Sequence, residues 1–133
     1  MMEQNGAFLE KCKTEVGADK SGEFYESSLQ AFNFDGAPYD VIWIQWVLLY
    51  LIDSDLIDFL KRAKKALAPN GIIVVKENHT RSGFFIDKDD NSITRSDTHF
   101  KSIFETAGLK LIKEETQTDF PKELFPVTMY ALV

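Results

Sequence analysis

The sequence predicts an α/β fold, a mostly parallel sheet that closes on an antiparallel hairpin. Three observations carry this expectation. Two nearly continuous apolar runs, 41–47 and 72–76, flank a stretch with helical apolar spacing; a second helical pattern follows a long polar segment; and two further strand-like runs end the chain. At 133 residues, with 44% hydrophobic and 13% aromatic content, the chain has enough apolar surface for one domain spanning 1–133.

The elements follow in order. Phe8, Leu9, Cys12 and Val16 recur at helical spacing, and Gly17 supplies a left-handed stop, so a short first helix is expected. Glu23 to Phe32 reads as a short strand running into a turn, and Gly36-Ala37-Pro38 punctuates the chain. Val41 to Val47 is β-branched and aromatic with apolar side chains on both faces, the pattern of an interior parallel strand covered by helices. Asp53, Ser54 and Asp55 offer N-cap oxygens and negative charge to a helix with the stripe Leu56, Leu60, Ala63 and Leu67, while Lys61, Arg62, Lys64 and Lys65 gather toward its end.

Pro69-Asn70-Gly71 is expected to end that helix, and Ile72 to Lys76 forms the next strand through a right-handed crossover. The polar stretch 77–94 is too long for a simple connector and reads as a functional loop. A helix from about Ser96 places Phe100, Ile103, Phe104 and Ala107 on one face, with Gly108 as its stop. Segments 109–117 and 127–133 read as an antiparallel strand pair at the sheet's edge.

Charge narrows the partners. Net charge is −6, and the 15 basic residues are dispersed or paired with acids, so no stripe exists to neutralise a row of phosphates. Nucleic acid is not expected; a cationic ligand suits the field. Cys12 is the single cysteine, which leaves no internal disulfide and no cysteine-based metal site, and no metal is expected. The first residues lack the charged-then-apolar pattern of a signal sequence. The longest apolar run, 41–52, is broken by Gln45 and falls short of the roughly 20 residues of a membrane helix. A soluble intracellular protein, cytoplasmic or nuclear, is the expectation.

Gln45 raises the functional question, because an amide sits between Trp43 and Trp46 in the most apolar stretch of the chain. Open parallel sheets bind ligands beyond the carboxyl ends of their strands. Gln45 and Trp46 lie at one such end, and Glu77 and Asn78 at the next. Two readings follow. Gln45 and Asn78 are satisfied by a ligand with Trp46 as an aromatic wall, or Gln45 caps a neighbouring backbone group and Trp46 belongs to the core.

The strings "YDVIWIQWV", "PNGIIVVKEN", "FFIDKDDNSITR" and "AGL", followed by a closing hairpin, resemble the protein N-terminal α-amine methyltransferases. That family uses S-adenosylmethionine to methylate the free amino terminus of proteins beginning X-Pro-Lys. The resemblance runs from about Glu3 to the end of the chain and implies a Rossmann-like class I methyltransferase sheet. It implies that Glu3 binds the cofactor ribose, that Leu29 and Gln30 lie beside the adenine, and that Gln45 lies near the cofactor's amino-acid portion. It further implies Trp46 as the wall of the substrate channel, Asn78 as the residue that binds the first peptide units, and Asp87 and Asp90 as the acidic pair that receives the cationic peptide. Asp90 is then the expected base, and Asp90, Asn78 and Tyr50 form the expected catalytic set.

The chemistry asks for such groups. An α-amine has a pKa of roughly 7.7–8.0, so most of it is protonated at neutral pH and cannot attack a methyl group. Crowding of Asp87, Asp89 and Asp90 is expected to raise one carboxyl toward the range of a useful base. Two departures from the family pattern stand out. Tyr50 and Phe125 replace a histidine and a hydroxyl-bearing aromatic of better-known members, while His79 and His99 read as a polar loop residue and a helix-surface residue.

The other departure is the cofactor loop: the 7 glycines include no G-x-G. The chain is therefore expected to be the carboxyl-terminal two-thirds of such an enzyme, without its first strands, leaving the 40–47 strand with an open apolar edge and binding S-adenosylmethionine weakly on its own. The alternative expectation is a catalytically silent peptide-binding remnant. An unrelated nucleotide-binding domain is disfavoured by the lack of a phosphate loop.

Overall fold

The computed structural model describes residues 1–17, 20, 22–121 and 123–133. They form two compact units, Met1–Asn33 and Phe34–Val133. Among the described residues, no helix is long and apolar enough to cross a membrane.

In the first unit, strands β1 (Met2–Glu3) and β2 (Tyr25–Glu26) pair in parallel, Glu3 opposite Glu26. Helix α1 (Gly6–Val16) follows β1 directly. Asn5 caps it, its side-chain oxygen accepting the Ala7 N–H at 3.0 Å. Gly17, at φ 81°, stops it as the sequence predicts. The expected strand and turn over 23–32 reduce to β2 and a turn at 29–31.

The second unit carries a four-stranded sheet in the order β3-β4-β8-β7, formed by β3 (Tyr39–Gln45), β4 (Leu67–Asn78), β7 (Leu111–Thr116) and β8 (Val127–Leu132). β3 and β4 are parallel, and β8 runs antiparallel to both β4 and β7, so the sheet is mixed. The expected antiparallel pair at one edge is present. The segment joining it, 119–126, includes Lys122, which lies outside the described residues.

Helix α2 (Asp53–Lys65) makes the crossover from β3 to β4, and α3 (Asp97–Thr106) precedes β7. Leu56, Phe59, Leu60 and Ala63 form the buried face of α2; Phe100, Ile103 and Phe104 form that of α3. The α3 face meets the sheet at Tyr130, whose ring centroid lies 5.3 Å from Phe104 and 6.1 Å from Phe100. Lys64 donates to the Gly108 carbonyl, tying the end of α2 to the stop of α3.

Several expectations are corrected. The first apolar run is an edge strand, not an interior one: it ends at Gln45, pairs with β4 alone, and leaves Val41 and Trp43 exposed. Among the described residues, no strand pairs with its outer edge. The N-cap of α2 is Ile52, whose hydrocarbon side chain can accept no hydrogen bond, while Asp53 is the first helical residue and pairs with Arg95. Pro69-Asn70-Gly71 does not end the helix, which stops at Ala66. It forms a bulge inside β4, where pairing jumps from Tyr39 opposite Leu67 to Val41 opposite Ile72. Gly71 is required there, since a Cβ would stand 2.7 Å from the Tyr39 carbonyl oxygen. The polar stretch 77–94 is no open loop: β5 (Phe84–Asp87) and β6 (Ser92–Arg95) form a hairpin within it.

Candidate functional site

The site grows from the carboxyl ends of β3 and β4. In-register pairing sets Gln45 beside Lys76, so the chain leaves β3 at Trp46 just as β4 reaches Glu77 and Asn78. The Trp46 N–H still donates to the Lys76 carbonyl at 3.2 Å, but its φ of 50° turns the chain out of the sheet. A left-handed conformation is uncommon for so bulky a residue and costs about 1–3 kcal/mol, so the surroundings must hold it. A single turn of 3-10 helix, Leu48–Tyr50, follows and leads into α2.

Trp46 is partly exposed, and its indole Nε1 donates to Asn78 Oδ1 at 3.2 Å. The Lys76 ammonium lies 5.2 Å from the centroid of the indole ring, so this face already receives a cation. Gln45 is neither a backbone cap nor an orphan: its Oε1 accepts from the Trp43 Nε1 at 3.0 Å. Strand periodicity puts residues 43 and 45 on one face, which makes the pairing local.

Four residues beyond Trp46, the Tyr50 hydroxyl donates to Asp90 Oδ2 at 3.5 Å, joining the turn to the β5-β6 hairpin. Burial, then the Asp90 charge and hydrogen bond, raise the Tyr50 pKa, so the phenol stays protonated at neutral pH. Asp90 moves the other way. Hydrogen bonds from the Ser92 side chain and backbone hold its carboxyl below the ordinary range. The expectation that crowding raises it is therefore corrected: Asp90 is exposed, and its Oδ1 caps the hairpin turn through the Ser92 N–H at 2.9 Å. Asp87 caps the same turn through the Asp89 N–H, also at 2.9 Å.

Glu77 and Arg95 had no role in the sequence analysis. Glu77 is 1% exposed; its Oε1 accepts the N–H groups of Val47 and Leu48, both at 2.9 Å, and its Oε2 has no hydrogen-bond partner. Burial pushes its pKa up to about 7 against these two bonds and the attraction of Arg95. Period-two alternation gives the signal that could have found it, since Ile73, Val75 and Glu77 share the buried face of β4. Arg95 is fully buried and reaches Asp53 Oδ1 at 2.7 Å and the carbonyls of Leu48 and Leu51 at 3.4 and 2.6 Å.

The two histidines are engaged rather than idle. His79 contacts Thr128 Oγ1 at 3.1 Å, and His99 contacts Asp53 Oδ2 at 2.8 Å. Phe125 packs against Phe85, with centroids 5.7 Å apart.

Within the first unit, Glu3 stands at the tip of β1, its Oε1 accepting the Asn5 N–H at 2.7 Å. Leu29 is buried and Gln30 exposed, both in the turn after β2. Among the described residues, no group of three or more metal-binding side chains could hold an ion.

A family model described as AdoMet-dependent proline di-methyltransferase matches residues 1–133. The chain is similar to alpha N-terminal protein methyltransferase 1 of Dictyostelium discoideum, at 47% identity over 99% of this chain and 49% of that protein. It is also similar to N-terminal Xaa-Pro-Lys N-methyltransferase 1 of Mus musculus, at 40% identity over 99% of this chain and 60% of that one. A solved SAM-dependent methyltransferase from Leishmania major superposes with a TM-score of 0.94 at 40% identity, covering 99% of this chain and 53% of that one. The chain thus spans about half the length of the relatives it matches.

Proposed function

This chain belongs to the AdoMet-dependent proline di-methyltransferase family, and we propose on that premise that the protein methylates the free α-amino group of proteins beginning X-Pro-Lys. The observation that carries the reading is the pair of hydrogen bonds, Trp46 to Asn78 and Tyr50 to Asp90, that gathers four side chains beyond the carboxyl ends of two parallel strands. The relatives named above are methyltransferases, and nothing in them favours a silent remnant.

S-adenosylmethionine is the cofactor of this reading. Within the second unit, Gln45 would offer its amide N–H groups to the cofactor's carboxylate, its oxygen being occupied by the Trp43 indole. When bound, the cofactor supplies an electrophilic methyl group.

The chain's own residues handle the amine. Asp90, ionised because Ser92 holds its pKa down, attracts the ammonium, and Asp87 adds charge from the same turn. Tyr50, protonated, fixes one oxygen of Asp90. The amine proton passes to Asp90 and on to water, to which this exposed carboxylate is open. Asn78 orients the first peptide units, and the Trp46 indole, hydrogen-bonded to Asn78, walls the amine beside it. A carboxylate of low pKa is a weak proton acceptor, so kcat/KM should climb with pH toward the amine's own pKa near 8 and then level off.

Mass spectrometry of an X-Pro-Lys peptide incubated with protein and S-adenosylmethionine tests the reading. Methyl groups should appear on the free peptide and not on its N-acetylated form. Methylation of the acetylated peptide, or none of the free one, overturns it. Asp90→Asn should slow the reaction by roughly 10²-fold or more; an unchanged rate removes Asp90 as the base.

A further inference from the structure

The segment between Trp46 and Tyr50 is held by two buried side chains that the proposed reaction does not use. Glu77, from β4, takes the N–H groups of Val47 and Leu48. Arg95, from β6, donates to the carbonyls of Leu48 and Leu51 and is itself fixed by Asp53. The two grips overlap at Leu48, whose N–H goes to the carboxylate and whose carbonyl goes to the guanidinium. Leu48 is fully buried, so apolar packing alone would anchor it. Adding two desolvated charges is costly where stability is the only requirement, whereas fully directed hydrogen bonds select one backbone geometry. The geometry selected is an unusual one, with Trp46 left-handed at φ 50° and its indole reaching Asn78.

We propose that Glu77 and Arg95 are positioning residues: they clamp the 47–51 turn from its N–H side and its carbonyl side, and so set the Trp46 indole against Asn78 and the Tyr50 hydroxyl against Asp90. What Trp46 and Tyr50 then do for a peptide rests on the function proposed above. The clamp itself does not.

The test uses the whole chain with ¹⁵N-labelled indoles, the two signals being told apart by Trp43→Phe. Glu77→Leu, which removes the one oxygen that accepts both N–H groups, should shift or broaden the Trp46 indole N–H signal, leave that of Trp43 in place, and raise KM for an X-Pro-Lys peptide by roughly tenfold. Glu77→Gln keeps an oxygen for both N–H groups and should keep the signal and KM close to wild type. Arg95→Lys, which retains charge but loses the fork, should move the Trp46 signal and KM in the same sense as Glu77→Leu.

A purely structural role would lower stability without moving the indole or separating Gln from Leu at position 77. A folded Glu77→Leu protein with the Trp46 signal and KM both unchanged overturns the proposal; where that variant does not fold, Arg95→Lys decides on the same criterion. An indole that moves while the wild-type chain adds no methyl group leaves the clamp standing and ends the methylation reading. Methylation that persists with the indole and KM unmoved ends the clamp alone.

Discussion

Glu77 is a glutamate at 1% exposure with one carboxyl oxygen engaged twice and the other without a partner, and it should make stability depend on pH in an unusual direction. Its folded pKa of about 7 stands above the ordinary value of 4.5. Between these values the native chain keeps a proton that the unfolded chain releases, so stability is greatest below about 4.5 on this account and falls as pH rises through 7. The whole effect is on the order of 3 kcal/mol. Urea midpoints at pH 5 and pH 8 should differ in wild type and converge in Glu77→Gln; a wild-type midpoint that does not fall over this range would sink the prediction. Asp53 and Asp97 act on the other side. Burial raises each, but Arg95 and His99 around Asp53, and Lys101 and Tyr130 around Asp97, outweigh it and hold both low. Their contribution is present above about 3.8 and is lost as pH falls through their lowered values, well clear of the Glu77 window.

The β5-β6 hairpin shows why an element can be illegible in a sequence. Its outer strand carries Phe84, Phe85 and Ile86, all exposed, while the inner strand buries Ser92, Thr94 and Arg95. Polar residues inside and apolar ones outside invert the usual pattern, so periodicity read a polar loop where a paired strand exists. Helices α2 and α3 and the β4 and β8 strands were legible because their apolar spacing and their burial agree, whereas in α1 only Leu9 of the expected stripe is buried. Trp46, Asn78 and Asp90 were legible as strand-tip and turn residues, whereas the buried hold on the turn between Trp46 and Tyr50 comes from Glu77 and Arg95, on β4 and β6. Arg95 tests the hairpin's role in stability. Arg95→Ala leaves Asp53 with His99 alone, removes the donor to two carbonyls and should cost about 3–5 kcal/mol by urea denaturation. Asp53→Asn should cost less, because Leu48 and Leu51 still receive the guanidinium and Asp53 is half exposed. Equal losses in the two variants would mean that the ion pair, and not the hold on the turn, secures β6.

For the whole molecule, the relevant quantity is the field of a chain with net charge −6, in which Asp87, Asp89 and Asp90 crowd one turn with Lys88 as the only local offset. An X-Pro-Lys peptide brings two positive charges, its terminal ammonium and the lysine at its third position. Exposed charges such as Asp90 are screened over about 8 Å at physiological salt, so long-range attraction should weaken as salt is added while contacts made after docking persist. kcat/KM for the peptide should therefore fall by roughly three- to tenfold between low salt and 0.5 M, with kcat nearly constant. A peptide with glutamine at the third position should lose part of that slope, and one assayed with Asp89→Asn, a residue outside the proposed catalytic set, should lose part of it too. Identical salt slopes for the lysine and glutamine peptides would mean that the acidic turn does not read the third residue, and the cationic preference would then have to come from the amino terminus alone.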